Sequence, residues 1–228
     1  MAERPGLVIF DCDGVLVDTE RLAVPIDVAL LAELGWEMTA EEVVERFLGR
    51  SEADCRSEIE EHIGHRLPPG LHFENDRRYR EAFEAHLAPV AGVVELLDRL
   101  EAGGVPACVA SSGSQAKMRF TLGLTGLYDR FEGRIFSVDE VEHGKPAPDL
   151  FLLAARTIGV PPGGCAVVED TSFGLEAAIT AGMRAYGYAG GLTPRHRLSM
   201  PGAVVFDEMS ELPSLLGLAA TADQIPMR

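Results

Sequence analysis

The chain is expected to be an α/β protein, a mostly parallel sheet with helices on both faces and a helical domain inserted after the first strand. Three observations predict this. From Pro89 onward, short apolar runs alternate with helical stretches, the pattern of βαβ units. A solitary apolar run, Leu7-Val8-Ile9-Phe10, stands near the start and reads as a buried strand. Between the two, residues 19–87 are helical in pattern, with no convincing strand. The first strand therefore joins the sheet across an insertion, giving a core of residues 1–18 and 88–228 and an inserted helical cap of residues 19–87. In an open parallel sheet the ligand crevice lies beyond the carboxyl ends of the strands, and the insertion hangs over it.

Each element has its own local reason. The first strand ends in Asp11-Cys12-Asp13-Gly14, where Asp-Gly marks a tight turn. Val15-Leu16-Val17 leads to Asp18-Thr19-Glu20, the start of a helix that runs through Ile26, Leu30, Leu31 and Leu34 and stops at Gly35. Thr39 and Glu42 make a capping box before Val43, Val44 and Phe47. Gly49-Arg50 breaks that helix, Ser51 caps another reaching about His62, Pro68-Pro69-Gly70 is a loop, and a charged helix follows from about His72 to His86. Beyond Pro89, a helix at about 93–102 closes at Gly103-Gly104, and a strand at 105–110 delivers Ser111-Ser112-Gly113. A helix at 114–122, a weaker strand at 134–137 and a helix at about 147–158 come next, the last closed by Gly159. A strand at 165–168 runs into Glu169-Asp170, and a helix at 173–181 closes at Gly182. Strands at 185–188 and 203–206, a short helix near 210–216 and a frayed tail from Ala219 complete the chain, with Arg195-His196-Arg197 in a loop as a solvated cluster.

At 228 residues, 46% hydrophobic and 25% charged, the chain can bury a full core. A formal net charge of −16 argues against nucleic acid or an anionic membrane as partner, since both need cationic patches. No apolar run approaches the ~20 residues that cross a bilayer. Cys12, Cys55, Cys108 and Cys165 lack Cys-x-x-Cys spacing, and no basic region precedes a signal-length apolar segment, so a reduced, cytoplasmic setting is expected. The chain has two lysines, Lys117 and Lys145, a bias that codon composition can explain but that makes the position of each worth checking.

The chemistry gathers at strand ends. Asp11 and Asp13 share one side of their strand, and like charges that close raise each other's pKa unless a cation offsets them. A hard divalent ion with oxygen ligands, Mg²⁺, is the natural solution. Asp11 and Asp13 follow the first strand, Ser111 and Ser112 the second, and Glu169 and Asp170 the fourth, all on one sheet edge. A fourth piece, Gly144-Lys145-Pro146-Ala147-Pro148-Asp149, fixes a lysine just before a helix. Singly, each has a plainer reading: an Asp-Gly turn, a turn-forming serine, a solvated loop lysine, a helix cap at Glu169-Asp170. Together, four carboxylates, a hydroxyl and a lysine make a metal-plus-anion site, which capping does not explain.

On these residues the chain resembles the haloacid dehalogenase superfamily, in the branch of β-phosphoglucomutase-like phosphatases and mutases. The resemblance covers nearly the whole length and rests on four segments in order. They are Asp11-Cys12-Asp13-Gly14-Val15-Leu16-Val17-Asp18-Thr19-Glu20, Ala110-Ser111-Ser112-Gly113, Lys145-Pro146-Ala147-Pro148-Asp149-Leu150-Phe151, and Glu169-Asp170-Thr171-Ser172-Phe173-Gly174-Leu175-Glu176-Ala177-Ala178. The resemblance implies a Rossmann-like core with a helical cap. It implies Asp11 as nucleophile forming an aspartyl-phosphate, and Asp13 as general acid and base with its backbone carbonyl on the metal. It further implies Asp170 as the remaining protein ligand of Mg²⁺, with Glu169 behind it or bound through water. Ser111, Ser112 and Lys145 then hold phosphoryl oxygens.

Within the family, Asp13 argues against dehalogenation, and the absence of lysine from residues 19–87 argues against Schiff-base phosphonate cleavage. The mutases it resembles carry a histidine where Ala23 stands and an arginine where Glu52 stands. The expected function is therefore a phosphatase acting on a small phosphorylated metabolite, a sugar or polyol phosphate. A sugar-phosphate mutase is the alternative, with a non-catalytic phosphometabolite binder from another class. Glu20, Arg46, Gly49, Arg50 and Ser51 are the candidates for specificity, Gly49 and Arg50 for contact with phosphate. The expected partners are a small phosphorylated substrate and Mg²⁺, with no nucleic acid and no membrane, in a monomer or weak homodimer.

Overall fold

Four consecutive buried apolar residues leave a strand no solvent face, and Leu7–Phe10 (β1) accordingly lies in the middle of the sheet. The computed structural model describes residues 3–50, 52–67 and 77–218. Among these, β1, β2 (Ala107–Ser111), β3 (Ile135–Ser137), β4 (Cys165–Glu169), β5 (Arg184–Tyr188) and β6 (Ala203–Phe206) form one sheet. Its order is β3-β2-β1-β4-β5-β6, and every neighbouring pair is parallel. The direction of strand progression reverses between β1 and β4, so the switch point of the sheet falls at Asp11 and Asp170. Phe10 is level with Val109 of β2 and Val168 of β4, which sets Asp11, Ala110 and Glu169 side by side.

Alternation along β1 divides the core. Val8 and Phe10 join Val109, Val168, Leu96, Leu100 and Leu122 on one face. Leu7 and Ile9 join Ala110, Val167, Phe151 and Leu175 on the other. The first face is covered by α5 (Val93–Ala102) and α6 (Gln115–Leu124), the second by α7 (Asp149–Ile158) and α8 (Ser172–Thr180). This is the Rossmann-like arrangement expected. Between β1 and β2 come α1 (Glu20–Glu33), α2 (Ala40–Phe47), α3 (Glu52–Ile63) and α4 (Arg77–His86). These four have apolar clusters of their own, one around Val24, Leu31, Trp36, Val43 and Ile59, the other around Leu30, Tyr79 and Phe83. The Thr39 capping box forms as expected, Glu42 N donating to Thr39 Oγ1 at 3.2 Å and Thr39 N to Glu42 Oε2 at 2.8 Å.

Several boundaries differ from expectation for local reasons. The second strand begins at Ala107, because Pro106 has no N–H to donate and only its carbonyl enters the ladder, accepting from Val8 N at 3.0 Å. Arg195-His196-Arg197 is not loop but the one-turn helix α9 (Arg195–Leu198). Its ends are tied by Arg195 to Asp207 Oδ1 at 2.6 Å and the Val205 carbonyl at 3.0 Å, and by Arg197 to the Glu45 carbonyl at 3.0 Å, so the cluster bridges to β6 and to α2. The terminal helix splits into a 3-10 turn, Met209–Glu211, and α10 (Leu212–Leu215), which carries Pro213 in its first turn. Ser51, the loop at 68–70, the start of the helix expected from His72 and the tail from Ala219 lie outside the described residues. Among the described residues, no helix is long and apolar enough to cross a membrane.

Candidate active site

Gly14 turns the chain at the end of β1. Its φ of +73° suits glycine, and its N–H donates to the Val17 carbonyl at 2.9 Å, which leaves Asp11 and Asp13 facing outward from the sheet edge. Asp11 is buried, and its Oδ1 lies 2.5 Å from Lys145 Nζ. The same ammonium reaches Glu169 Oε1 at 2.6 Å and the Ala110 carbonyl at 3.0 Å. All three donors of Lys145 are thus used at the ends of β1, β2 and β4. Its Nζ also sits 5.0 Å from the centroid of the Phe151 ring on α7.

Glu169 is occupied on both sides. Its Oε2 accepts from Asp170 N at 3.0 Å, Thr171 N at 3.0 Å and Thr171 Oγ1 at 2.9 Å. A Cβ on Gly174 would fall 1.9 Å from the Glu169 carboxyl, so glycine at that place in α8 makes room for it. Asp13 is also held at both oxygens. Thr19 Oγ1 donates to Oδ1 at 2.6 Å, and Lys117 Nζ stands 3.0 Å from Oδ2. Thr19 spends its hydroxyl on Asp13 rather than capping α1. Ser111 Oγ accepts from Gly113 N at 3.1 Å, which leaves its own O–H free to donate outward.

The electrostatics follow from burial. Burial pushes Asp11 up to about 7 against the pull of Lys145, and Glu169 and Asp13 add to the rise. For Lys145, burial favours the neutral amine, but Asp11 and Glu169 outweigh it and hold the ammonium above the ordinary lysine range. Asp170 is driven well above the ordinary carboxyl range by burial and then by Glu20, Glu169 and Asp11. Both oxygens of Asp170 and Oε2 of Glu20 are buried without a hydrogen-bond donor. Buried acceptors without a donor in a cluster of acids are what a hard cation with oxygen ligands satisfies, so the donor set fits Mg²⁺. Among the described residues, no three His, Cys, Asp or Glu side chains are already gathered as a metal shell.

These residues line one cavity of about 380 Å³ between the sheet edge and helices α1 to α4. Asp11, Asp13, Ser111, Ser112, Lys145, Glu169 and Asp170 form its floor, as the strand ends led one to expect. Gly49 and Arg50 are on the opposite wall. Arg50 is not turned to a second anion: it ion-pairs with Glu58 and donates to the Arg46 carbonyl at 3.2 Å. Gly49 has a φ of +78°, and a Cβ there would come 2.5 Å from Thr171 Cγ2, so it seats the insertion against the start of α8. Arg46 does not line this cavity and lies over Trp36 at 5.3 Å from the ring. Ala23, Asp27 and Glu52 do line it. The sequence reading missed Thr19 and Lys117 as partners of Asp13. The signal for Lys117 was its rarity, because both lysines of the chain prove to touch carboxylates of this site. Cys12 is a buried spacer, its thiol held up by burial.

Comparison with known proteins decides the family. The model of haloacid dehalogenase-like hydrolases matches residues 8–188, the strand ends above included. This chain is a haloacid dehalogenase-like hydrolase. Among curated relatives of the hydrolase, 6-phosphogluconate phosphatase of Escherichia coli K12 is 30% identical over 217 residues, covering 93% of this chain and 95% of that protein. The chloroplastic protein suppressor of quenching 1 of Arabidopsis thaliana is 34% identical over 193 residues, but the hydrolase spans only 17% of its length. In three dimensions the hydrolase is similar to CbbY from Rhodobacter sphaeroides in complex with xylulose-(1,5)bisphosphate. The TM-score is 0.75 at 27% identity, over 95% of this chain and 100% of that one.

Proposed function

We propose that this hydrolase is a Mg²⁺-dependent phosphatase that acts on a small phosphorylated metabolite, a sugar or polyol monophosphate, through an aspartyl-phosphate on Asp11. The observation that carries the reading is the position of Asp11, buried at the switch point of the sheet with one oxygen held by Lys145. Its other oxygen attacks phosphorus as the bond from phosphorus to the leaving oxygen breaks. Asp13 gives the leaving oxygen its proton and then takes one from the water that hydrolyses the acyl phosphate. Thr19 and Lys117 fix the orientation of Asp13 through its two oxygens. The Ser111 hydroxyl and the amides around Ser112 take phosphoryl oxygens, and Lys145, held in place by Glu169, sets its positive charge beside them. Asp11, the backbone carbonyl of Asp13 and Asp170 hold Mg²⁺, which when bound offsets the repulsion between the carboxylates and a phosphate dianion.

The four helices between β1 and β2 act as a cap domain, residues 19–87, that encloses the substrate. The composition of its wall supports a phosphatase over a mutase. A mutase must retain a bisphosphate, yet Ala23 and Glu52 stand where the resemblance places a histidine and an arginine, and Arg50 is held by Glu58. Asp27, hydrogen-bonded to Tyr79, adds another acid to the wall. The test is phosphate release from a panel of hexose, pentose and polyol monophosphates, with β-glucose 1-phosphate and its 1,6-bisphosphate included. Release is expected with added Mg²⁺ and is lost on chelation. Full activity in the presence of chelator sinks the metal reading, and isomerisation without net phosphate release sinks the phosphatase.

A further inference from the structure

We propose that Glu20, the first residue of α1, belongs to the cation site and holds the divalent ion together with Asp170. The inference rests on the reading of the strand-end cluster as a Mg²⁺ site and adds to it a side chain from the inserted helices. Every other carboxyl of the cluster has a donor in the protein: Asp11 and Glu169 have Lys145, and Asp13 has Thr19 and Lys117. Glu20 and Asp170 are the exceptions. Glu20 is 8% exposed and Asp170 is 0% exposed, and Glu20 Oε2 and both Asp170 oxygens are buried without a partner.

The two carboxyls converge on one place. The position a Cβ on Gly14 would occupy lies 2.1 Å from Asp170 Oδ2 and 2.8 Å from Glu20 Oε2. Glycine at 14 therefore does two things, turning the chain at a φ of +73° and leaving room for both acids. An acid in the first turn of a helix commonly favours the helix dipole from a solvated position. That does not describe Glu20, which is turned inward against another acid. A proton shared between them is one way to answer the charge, and a hard cation with oxygen ligands answers both charges at once. Because Glu20 opens α1 and Asp170 follows β4, an ion held by both ties the insertion to the core beside the floor of the cavity.

The experiment is calorimetric titration of Mg²⁺ into the metal-free full chain, wild type and Glu20→Gln, with thermal unfolding of each protein with and without Mg²⁺. Glu20→Gln is expected to weaken Mg²⁺ binding about 10- to 100-fold, the loss typical of removing a supporting residue at a metal site, and to shrink the Mg²⁺-induced rise in Tm. The metal-free Tm of the variant is expected to equal or exceed that of wild type, because a neutral amide removes the repulsion and donates to Asp170. Mg²⁺ affinity within about fivefold of wild type in folded Glu20→Gln overturns the role of Glu20 while leaving the metal reading intact. A lowered metal-free Tm assigns Glu20 to the fold and overturns it as well. Wild-type protein that binds no Mg²⁺ overturns the metal reading itself.

Discussion

Asp11→Asn is expected to abolish turnover, by at least about 10⁴-fold in kcat, while the protein stays folded. The loss follows from the chemistry proposed for Asp11: an amide oxygen does not form the acyl phosphate, and no other carboxylate of the cluster is placed to substitute. Asp13 is held at both oxygens by Thr19 and Lys117, and Glu169 is held by Lys145 and by Asp170 and Thr171 just before α8. The fold survives for an equally local reason. The asparagine oxygen still accepts from Lys145, whose ammonium keeps Glu169 and the Ala110 carbonyl, and one negative charge leaves a crowded acidic cluster. Steady-state kinetics and thermal unfolding of the purified variant check both halves. Activity above about one part in a hundred, in protein free of wild type, contradicts the assignment.

Lys145→Met is expected to cost both catalysis and stability, which separates it from the first variant. The Lys145 side chain is 2% exposed, and it answers two buried carboxylates at once. Removing one partner of a buried charge cluster typically costs about 3–5 kcal/mol, because the remaining charges stay buried and unpaired. For a chain of this size that corresponds to a fall in Tm on the order of 10 °C. Loss of the positive charge beside the phosphoryl group lowers kcat by a further factor of at least about 10². Unfolding and kinetics measured on the same preparation test the pair of effects. An unchanged Tm means that Asp11 and Glu169 do not depend on Lys145, and the electrostatic account of the floor then fails.

Much of this was legible in the residues, and the reasons differ by element. β1 and β4 could be read because a run of apolar residues that ends in acids is hard to place anywhere but at a strand end beside a ligand. The glycine and proline around Lys145 marked it as fixed. Lys117 was not legible as a partner of Asp13. It lies on the first turn of a helix, and what it touches depends on where α6 lands against β1. The same holds for Glu20 and Asp170, whose meeting requires the insertion to fold back onto the core. Arg50 shows a different limit. Its charge and position suggested contact with phosphate, and it does line the cavity, but its pairing with Glu58 on the next helix could not be read from the residues. The strand at Ala107 was misjudged at its start, which Pro106 sets, and the single turn of α9 was read as loop, because the contacts of Arg195 and Arg197 rather than periodicity hold it.

The most direct test of the central claim is the stereochemical course at phosphorus, followed with a monoester made chiral by oxygen isotopes and hydrolysed by the Mg²⁺-loaded enzyme. Each in-line displacement inverts the phosphoryl group, so attack by Asp11 followed by attack of water predicts net retention of configuration. Net inversion means a single displacement by water, and it contradicts a covalent intermediate on Asp11.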